Sequence, residues 1–246
     1  MSRMKRWEEM SWPEIEEFLG ENHFAILPAG SVEQHGPHLP LGTDYYIPMG
    51  LADRLAGLLE EEARNRMAML PPLTYTYAPH SNPWPGTMNL DGDTLIRVAA
   101  DLVAELERQG VARILILNGH MQSEPFIWEG ARIGRGETAA LRLVNWWDLV
   151  PADMPRDLFG KAWVGPNIEH AALIETSVMM ALHPDLVRED LLPAELSPRK
   201  TPYQSLPPEP GTLPETGSFA PTEAASAEAG RVLVDHVVGE LLKILG

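Results

Sequence analysis

An α/β domain, three layers with helices on both faces of a mainly parallel central sheet, is what the sequence predicts, and two features carry that reading. Short apolar runs alternate with longer amphipathic stretches along all 246 residues, the pattern of strand–helix–strand crossovers. One of those runs, 111–117 (VARILIL), is apolar without alternation, as expected of a strand buried on both faces. The length fits a single domain over 1–246, and no internal repeat divides it.

The elements follow in order. Ser11-Trp12-Pro13 and then Glu14, Glu16 and Glu17 predict a helix start, with Ser11 as cap and acids near the positive end of the dipole. A strand is predicted over 23–29, ended by Gly30, and an amphipathic helix over 47–66 with Leu51, Leu55, Leu58 and Leu59 on one face. Residues 67–75 read as a strand that two prolines cut short, and 79–92 as a Pro/Gly-rich loop. A helix over 93–109 is closed by Gly110. Beyond the buried strand come a helix over 125–135, a strand over 141–147 and a helix over 168–182 stopped by His183-Pro184. Residues 192–222 form a Pro-rich irregular arm, read either as a surface excursion or as a wrap across a neighbouring subunit. A closing helix covers 223–245.

Composition narrows the function classes. Apolar residues make up 44% and charged residues 22%, as in a globular protein with a core. Nineteen basic residues stand against 35 acidic ones, a net charge of −16, which repels phosphate backbones and anionic headgroups. No nucleic acid or membrane partner is therefore expected. There is no cysteine, so disulfides, thiolate zinc sites and thiol nucleophiles are excluded and a cytoplasmic location fits. No signal peptide is expected, and no run approaches the roughly 18 apolar residues that span a bilayer.

The chemistry-bearing residues lie in loops after predicted strands, where ligands of open α/β sheets collect. Residues 30–44 bring Glu33, His35, His38 and Asp44 together between glycines and prolines. Carboxylates and imidazoles are the donors zinc or manganese takes when thiolates are absent; a polar turn whose histidines bond backbone carbonyls is the other reading. His120 leaves the buried strand through Asn118-Gly119, placed for a site or for a helix cap. Together Glu33, His35, Asp44 and His120 supply donors for two divalent ions with a carboxylate able to bridge them, and thus a water activated near neutral pH. Glu169 and His170 open the predicted 168–182 helix, where the dipole keeps His170 uncharged and available as a proton shuttle. Glu169 is a candidate acid or a satisfier of backbone amides. On such a helix Glu175 lies about 500° of turn from His170 and reads as an acid that supports the site residues from behind or as a structural one, rather than as a catalytic acid. Trp146-Trp147 either walls a planar substrate or fills core.

These motifs resemble the creatininase family. The resemblance rests on LPAGSVEQHGPHLPLGTD at 27–44, PGTMNLDGDTL at 85–95, ILNGHMQSEPFIWEG at 116–130, IEHAALIETSVMMALHPDLV at 168–187 and PGTLPETG at 210–217. It implies one metal ion, zinc or manganese, on Glu33, Asp44 and His120, and a second on His35 and Asp44. It also implies His170 at the substrate's ring and proton, Trp147 in a mobile wall, and a homohexamer acting on a small-molecule substrate. Departures are visible: Gln122 stands where creatininase has a glutamate ligand, so the second ion is expected to be weakly held. Met121 replaces an aromatic residue, Pro166 and Asn167 replace a tryptophan and an aspartate, and the loop before Trp84 is shorter. Met121, Trp147, Asn167 and Glu124 are the expected substrate contacts, with Glu124 also a candidate replacement ligand. The expected function is hydrolysis of a small cyclic amide other than creatinine. Hydrolysis of a cyclic diketone or lactone, and a non-catalytic binding protein that lost one metal, are the alternatives.

Overall fold

The computed structural model describes residues 3–19, 23–166, 169–194, 209 and 212–245. Five strands, β1 (Lys5–Arg6), β2 (Phe24–Ala29), β3 (Met67–Met69), β4 (Arg113–Asn118) and β5 (Ala140–Asn145), form one sheet in the order β1-β3-β2-β4-β5. Every pairing is parallel. The described α-helices are α1 (Trp12–Phe18), α2 (Thr43–Leu58), α3 (Glu61–Asn65), α4 (Gly92–Arg108), α5 (Glu124–Gly134), α6 (Met154–Phe159), α7 (Leu173–Leu182) and α8 (Ala227–Leu245).

The three predicted layers are present, and alternation across the strands builds them. Phe24, Ile26, Leu115 and Leu117 pack with Ile47, Leu51 and Leu55 of α2, Val178 of α7 and Leu233, Val237 and Leu241 of α8. On the other face Ala25, Leu27, Ile114 and Ile116 pack with Leu95 and Val103 of α4 and Ile127 and Ala131 of α5. Each large aliphatic side chain buried this way contributes about 1.5–3 kcal/mol. With both faces covered, neither β2 nor β4 has a polar side, which is why the sequence shows apolar runs.

Layering also creates the site. The chain leaves β2 for α2 on the first face and leaves the adjacent β4 for α5 on the second. A crevice therefore opens between β2 and β4 at their carboxyl ends, the switch point where such sheets bind ligands.

Local chemistry explains most boundaries. Ser11 caps α1 as predicted: Glu14 Oε2 accepts from the Ser11 amide at 2.7 Å and from its hydroxyl at 2.5 Å. Five expectations need correction. Strand β1 was not anticipated, since two residues carry no periodicity; it is an edge strand tied down by Arg6 to Asp53 of α2 at 2.7 Å. The single helix over 47–66 begins at Thr43 and breaks after Leu58. Glu61 and Glu62 then sit in the first turn of α3, where the dipole favours them, rather than at a helix C-terminus, where it opposes them. β3 stops at Met69, because Pro71 and Pro72 have no amide to continue the ladder. β5 ends at Asn145, so Trp146 and Trp147 lie in a short 3-10 turn, Trp146–Leu149. The 168–182 helix begins only at Leu173.

Asn167 and much of the 192–222 arm lie outside the described residues. What is described of the arm's later part packs on this chain, with Pro214, Gly217, Ser218, Ala220 and Thr222 buried. No described helix is long and apolar enough to cross a membrane.

Candidate metal centre

Four chain segments converge in the crevice. The loop after β2 carries Glu33 and His35, the first turn of α2 carries Asp44, His120 follows β4 by two residues, and His170 lies three residues before α7. The glycine that leaves β2 makes the convergence possible: a Cβ on Gly30 would stand 2.4 Å from the Asp44 carbonyl carbon. Pro48, inside α2, offers no amide to the Asp44 carbonyl four residues back. Behind His120, Asn118 ties the turn: its Nδ2 donates to the His120 carbonyl at 3.0 Å and to Asn145 Oδ1 at 2.9 Å. Its Oδ1 accepts from the His120 amide at 3.1 Å.

Asp44 is the centre. Its Oδ1 lies 3.0 Å from His35 Nε2, and its Oδ2 lies 3.0 Å from His120 Nδ1. Glu33 Oε1 is 3.5 Å from His120 Nδ1 and 3.5 Å from His170 Nδ1. The far nitrogen of each central histidine has its own acceptor: His35 Nδ1 faces the Glu33 carbonyl at 3.1 Å and His120 Nε2 faces the Tyr77 carbonyl at 3.1 Å. A proton on each far nitrogen leaves the lone pair of the near one aimed at the carboxylates, the orientation found in metal-ligating histidines. Buried Asp44 Oδ2 has no hydrogen-bond partner despite its closeness to His120. Two ligand atoms about 2.1 Å from one tetrahedral ion are separated by roughly 3.4 Å; the two Glu33 spacings of 3.5 Å match this, and the two Asp44–histidine spacings of 3.0 Å are shorter, at hydrogen-bond distance. Glu33, Asp44 and His120 form one group able to hold an ion, His35, Asp44 and Glu175 a second, and Glu33, His35 and His170 a third.

The electrostatics say what a cation would replace. Burial disfavours charge on His35 and His120, but the surrounding carboxylates, Asp44 foremost for His35 and Glu33 for His120, outweigh it and push them up to about 10 and about 9. Burial also opposes ionisation of Asp44, yet His35 and His120 hold it well below the usual carboxylate range. Burial raises Glu33. A divalent ion would take over the balancing role of those protons and release them. His38, left out of the donor set read from the sequence, faces Thr176 Oγ1 at 2.8 Å and is pushed down to about 4, first by burial and then by His35.

Above the cluster is a cavity of about 1140 Å³, which Glu33, Asp44 and His120 line together with Trp84, Trp147, Trp163, Phe219 and Arg156. Met121, Gln122, Pro166, Glu169 and His170 also line it. Gln122 Nε2 is turned to His80 Nδ1, and its Oε1 is buried without a partner. Met121 is 63% exposed at the rim. Glu124 does not belong to this cavity: it opens α5 and lines a separate small one with Trp128 and Arg142.

His170 needs a second correction. It precedes α7, so no helix dipole acts on it; burial first, and then His35, push it down to about 3. The helical offset between His170 and Glu175 has no meaning for the same reason, and Glu175 Oε2 stands 4.0 Å from His35 Nε2. Glu169 lines the cavity while its Oε1 accepts from the Ile174 amide at 2.5 Å. Burial, reinforced by Glu175, pushes it up to about 8. Sequence reasoning also missed Gln34, whose Nε2 reaches His170 Nε2 at 2.8 Å and the Gly217 carbonyl at 3.0 Å. Its place between Glu33 and His35 was the available signal.

Comparison with known proteins agrees with this architecture. The family model described as Creatininase, creatinine amidohydrolase, matches residues 8–245. The chain is 31% identical to a creatinine amidohydrolase of Pseudomonas putida over 94% of its own length and 92% of that protein. It is 28% identical to a mycofactocin precursor peptide peptidase of Mycolicibacterium smegmatis over 87% of its length and 81% of that protein. A solved creatininase structure described as the Mn form superposes with a TM-score of 0.89 at 28% identity, covering 99% of this chain and 98% of that one. A match of that extent, on a parallel sheet with this histidine–carboxylate cluster at its switch point, means that the chain belongs to the creatininase family.

Proposed function

We propose that the protein is a metal-dependent hydrolase that holds two divalent ions, zinc or manganese, and cleaves a C–N bond in a small polar amide, with a cyclic amide as the expected form. The observation that carries this reading is the Asp44 carboxylate, each of whose oxygens faces a different histidine at 3.0 Å. That placement supports a carboxylate that would be shared between two ions. The unpartnered Asp44 Oδ2 and the nitrogen-and-oxygen donor set fit such ions. Two of the relatives named above, an amidohydrolase and a peptidase, both bear names of amide-cleaving enzymes.

Ions bound there supply Lewis acidity toward a carbonyl oxygen and a water of lowered pKa. The chain's own residues do the rest. Glu33 and Asp44 concentrate negative charge at the cavity floor, and Asn118 and the Tyr77 carbonyl fix His120. Glu169, protonated at neutral pH, is a proton source on the cavity wall for a leaving nitrogen. His170, held by Gln34 and kept neutral, turns Nδ1 toward Glu33 and can relay a proton at that atom. Trp84, Trp147, Trp163 and Phe219 wall the cavity against water.

Creatinine is a poor substrate in this reading, because Pro166 and the exposed Met121 offer no flat clamp for its ring. The test is turnover by the zinc- or manganese-loaded protein on cyclic amides, lactones, short peptides and creatinine. Efficient turnover of an amide, with creatinine slow, is expected; turnover confined to lactones or diketones, or fast creatinine hydrolysis, overturns the assignment.

A further inference from the structure

We infer that the guanidinium of Arg156, at the mouth of the cavity, binds a carboxylate of the substrate, so that the substrate class is a small amide carrying a free carboxylate. The inference rests on the amide-hydrolase reading above and deepens it by naming that class.

Charge distribution comes first. Among the described residues that line the cavity, Glu33, Asp44, Asp148, Glu169 and Glu175 are acids, and Arg156 alone is a lysine or arginine. Glu33 and Asp44 are buried, whereas Arg156 is exposed. The cavity therefore runs from a floor of carboxylates and histidines to a cationic mouth. The net charge of −16 repels an approaching anion, and a fixed cation at the entrance offsets that repulsion locally.

The guanidinium is held in place yet uncommitted. Arg156 belongs to α6, whose Pro155 and Phe159 are buried and whose Met154 and Leu158 pack on the core. An arginine with a surface role alone would pair with Asp153, three residues back, the spacing at which helical side chains meet. Among the described residues the Arg156 side chain has no hydrogen-bond or ion-pair partner. Asp148, which also lines the cavity, accepts instead from Asn145 Nδ2 at 2.9 Å.

Chemistry selects the ligand. Arginine keeps its charge throughout the working pH range, and its fork of N–H donors matches a carboxylate in two parallel hydrogen bonds. A single guanidinium balances a single negative charge; a phosphate dianion would stay half compensated beside these acids. Creatinine carries no carboxylate and gains nothing from Arg156.

Isothermal titration calorimetry on the zinc-loaded protein tests this without turnover. The probes are the monohydroxamates of succinic, glutaric and adipic acid, whose hydroxamate binds zinc, and counterparts of equal length that end in an uncharged isopropyl group. The carboxylate-ended probe is expected to bind about tenfold tighter at one or more of these lengths, a modest gain because the exposed Arg156 is screened by solvent. Arg156→Met is expected to erase that preference by weakening the carboxylate-ended probes alone. The exposed side chain has no partner to lose, so the circular dichroism of the variant should be unchanged. No preference at any length, a preference kept by Arg156→Met, or equal weakening of both probe types overturns the inference and leaves the amide-hydrolase reading standing. Failure of every probe to bind overturns the metal-dependent reading, and the inference with it.

Discussion

The carbonyl oxygen of Asp44 lies 1.8 Å from where a Cβ would sit on Gly119. The start of α2 and the exit of β4 are thus in backbone contact, and the central carboxylate is seated where no side chain fits. Gly119→Ala must push the two segments apart. A loss of about 1–3 kcal/mol is expected from overpacking, together with weaker metal binding, since Asp44 and His120 flank the displaced contact. Urea unfolding and a zinc titration on the same variant read both effects.

An ion that binds only the folded chain stabilises it by mass action. At free metal about 100-fold above the dissociation constant the gain is about 2.7 kcal/mol, or about 5–10 °C of melting temperature for a chain of this size. Adding a chelator to the metal-loaded protein is expected to lower the melting temperature by that amount, and adding zinc or manganese back to restore it. An unchanged melt speaks against metal bound in the cluster.

Those two expectations rest on parts of the molecule that differed in legibility. The buried β4 and the Ser11 cap were readable because local periodicity and one side chain encode them. So were the residues Glu33, His35, Asp44 and His120, which follow strands and carry the donor types. Glu175 was not readable: its carboxylate accepts from the amide of the left-handed Ala171, and nothing in an alanine announces that. The assumption of a helix from residue 168 then misplaced the helix dipole at His170 and the helical offset between His170 and Glu175. Phe219 and Gly217 reach the site from segments remote in sequence, a relation that periodicity cannot express. Glu124 misled because nearness in sequence to Gln122 suggested nearness in space, whereas α5 carries it to a different cavity.

Away from the site, Glu107 of α4 gathers the turn before β5, accepting from the Gly136 amide at 2.6 Å and from the Thr138 amide and hydroxyl at 2.7 Å. These hydrogen bonds, the Thr138 hydroxyl first, push its carboxyl down to about 2, below the usual value of about 4.3. A depressed folded pKa means stabilisation that is complete above about pH 4.3 and lost as the pH falls through 2. Glu107→Gln is expected to be less stable at neutral pH by about 1 kcal/mol at most, since the group is exposed and screened. Chemical denaturation across pH 2–7 checks this, and the gap between the two proteins should narrow toward the acid end.

The central claim is that Asp44 bridges two divalent ions, and metal content tests it most directly. The protein purified without chelator and the Asp44→Ala variant, each exposed to zinc and to manganese, would be measured by inductively coupled plasma mass spectrometry. Two ions per chain, both lost or sharply reduced in Asp44→Ala, is the predicted result. No bound metal in the unsubstituted protein, or two ions retained by Asp44→Ala, would contradict the account.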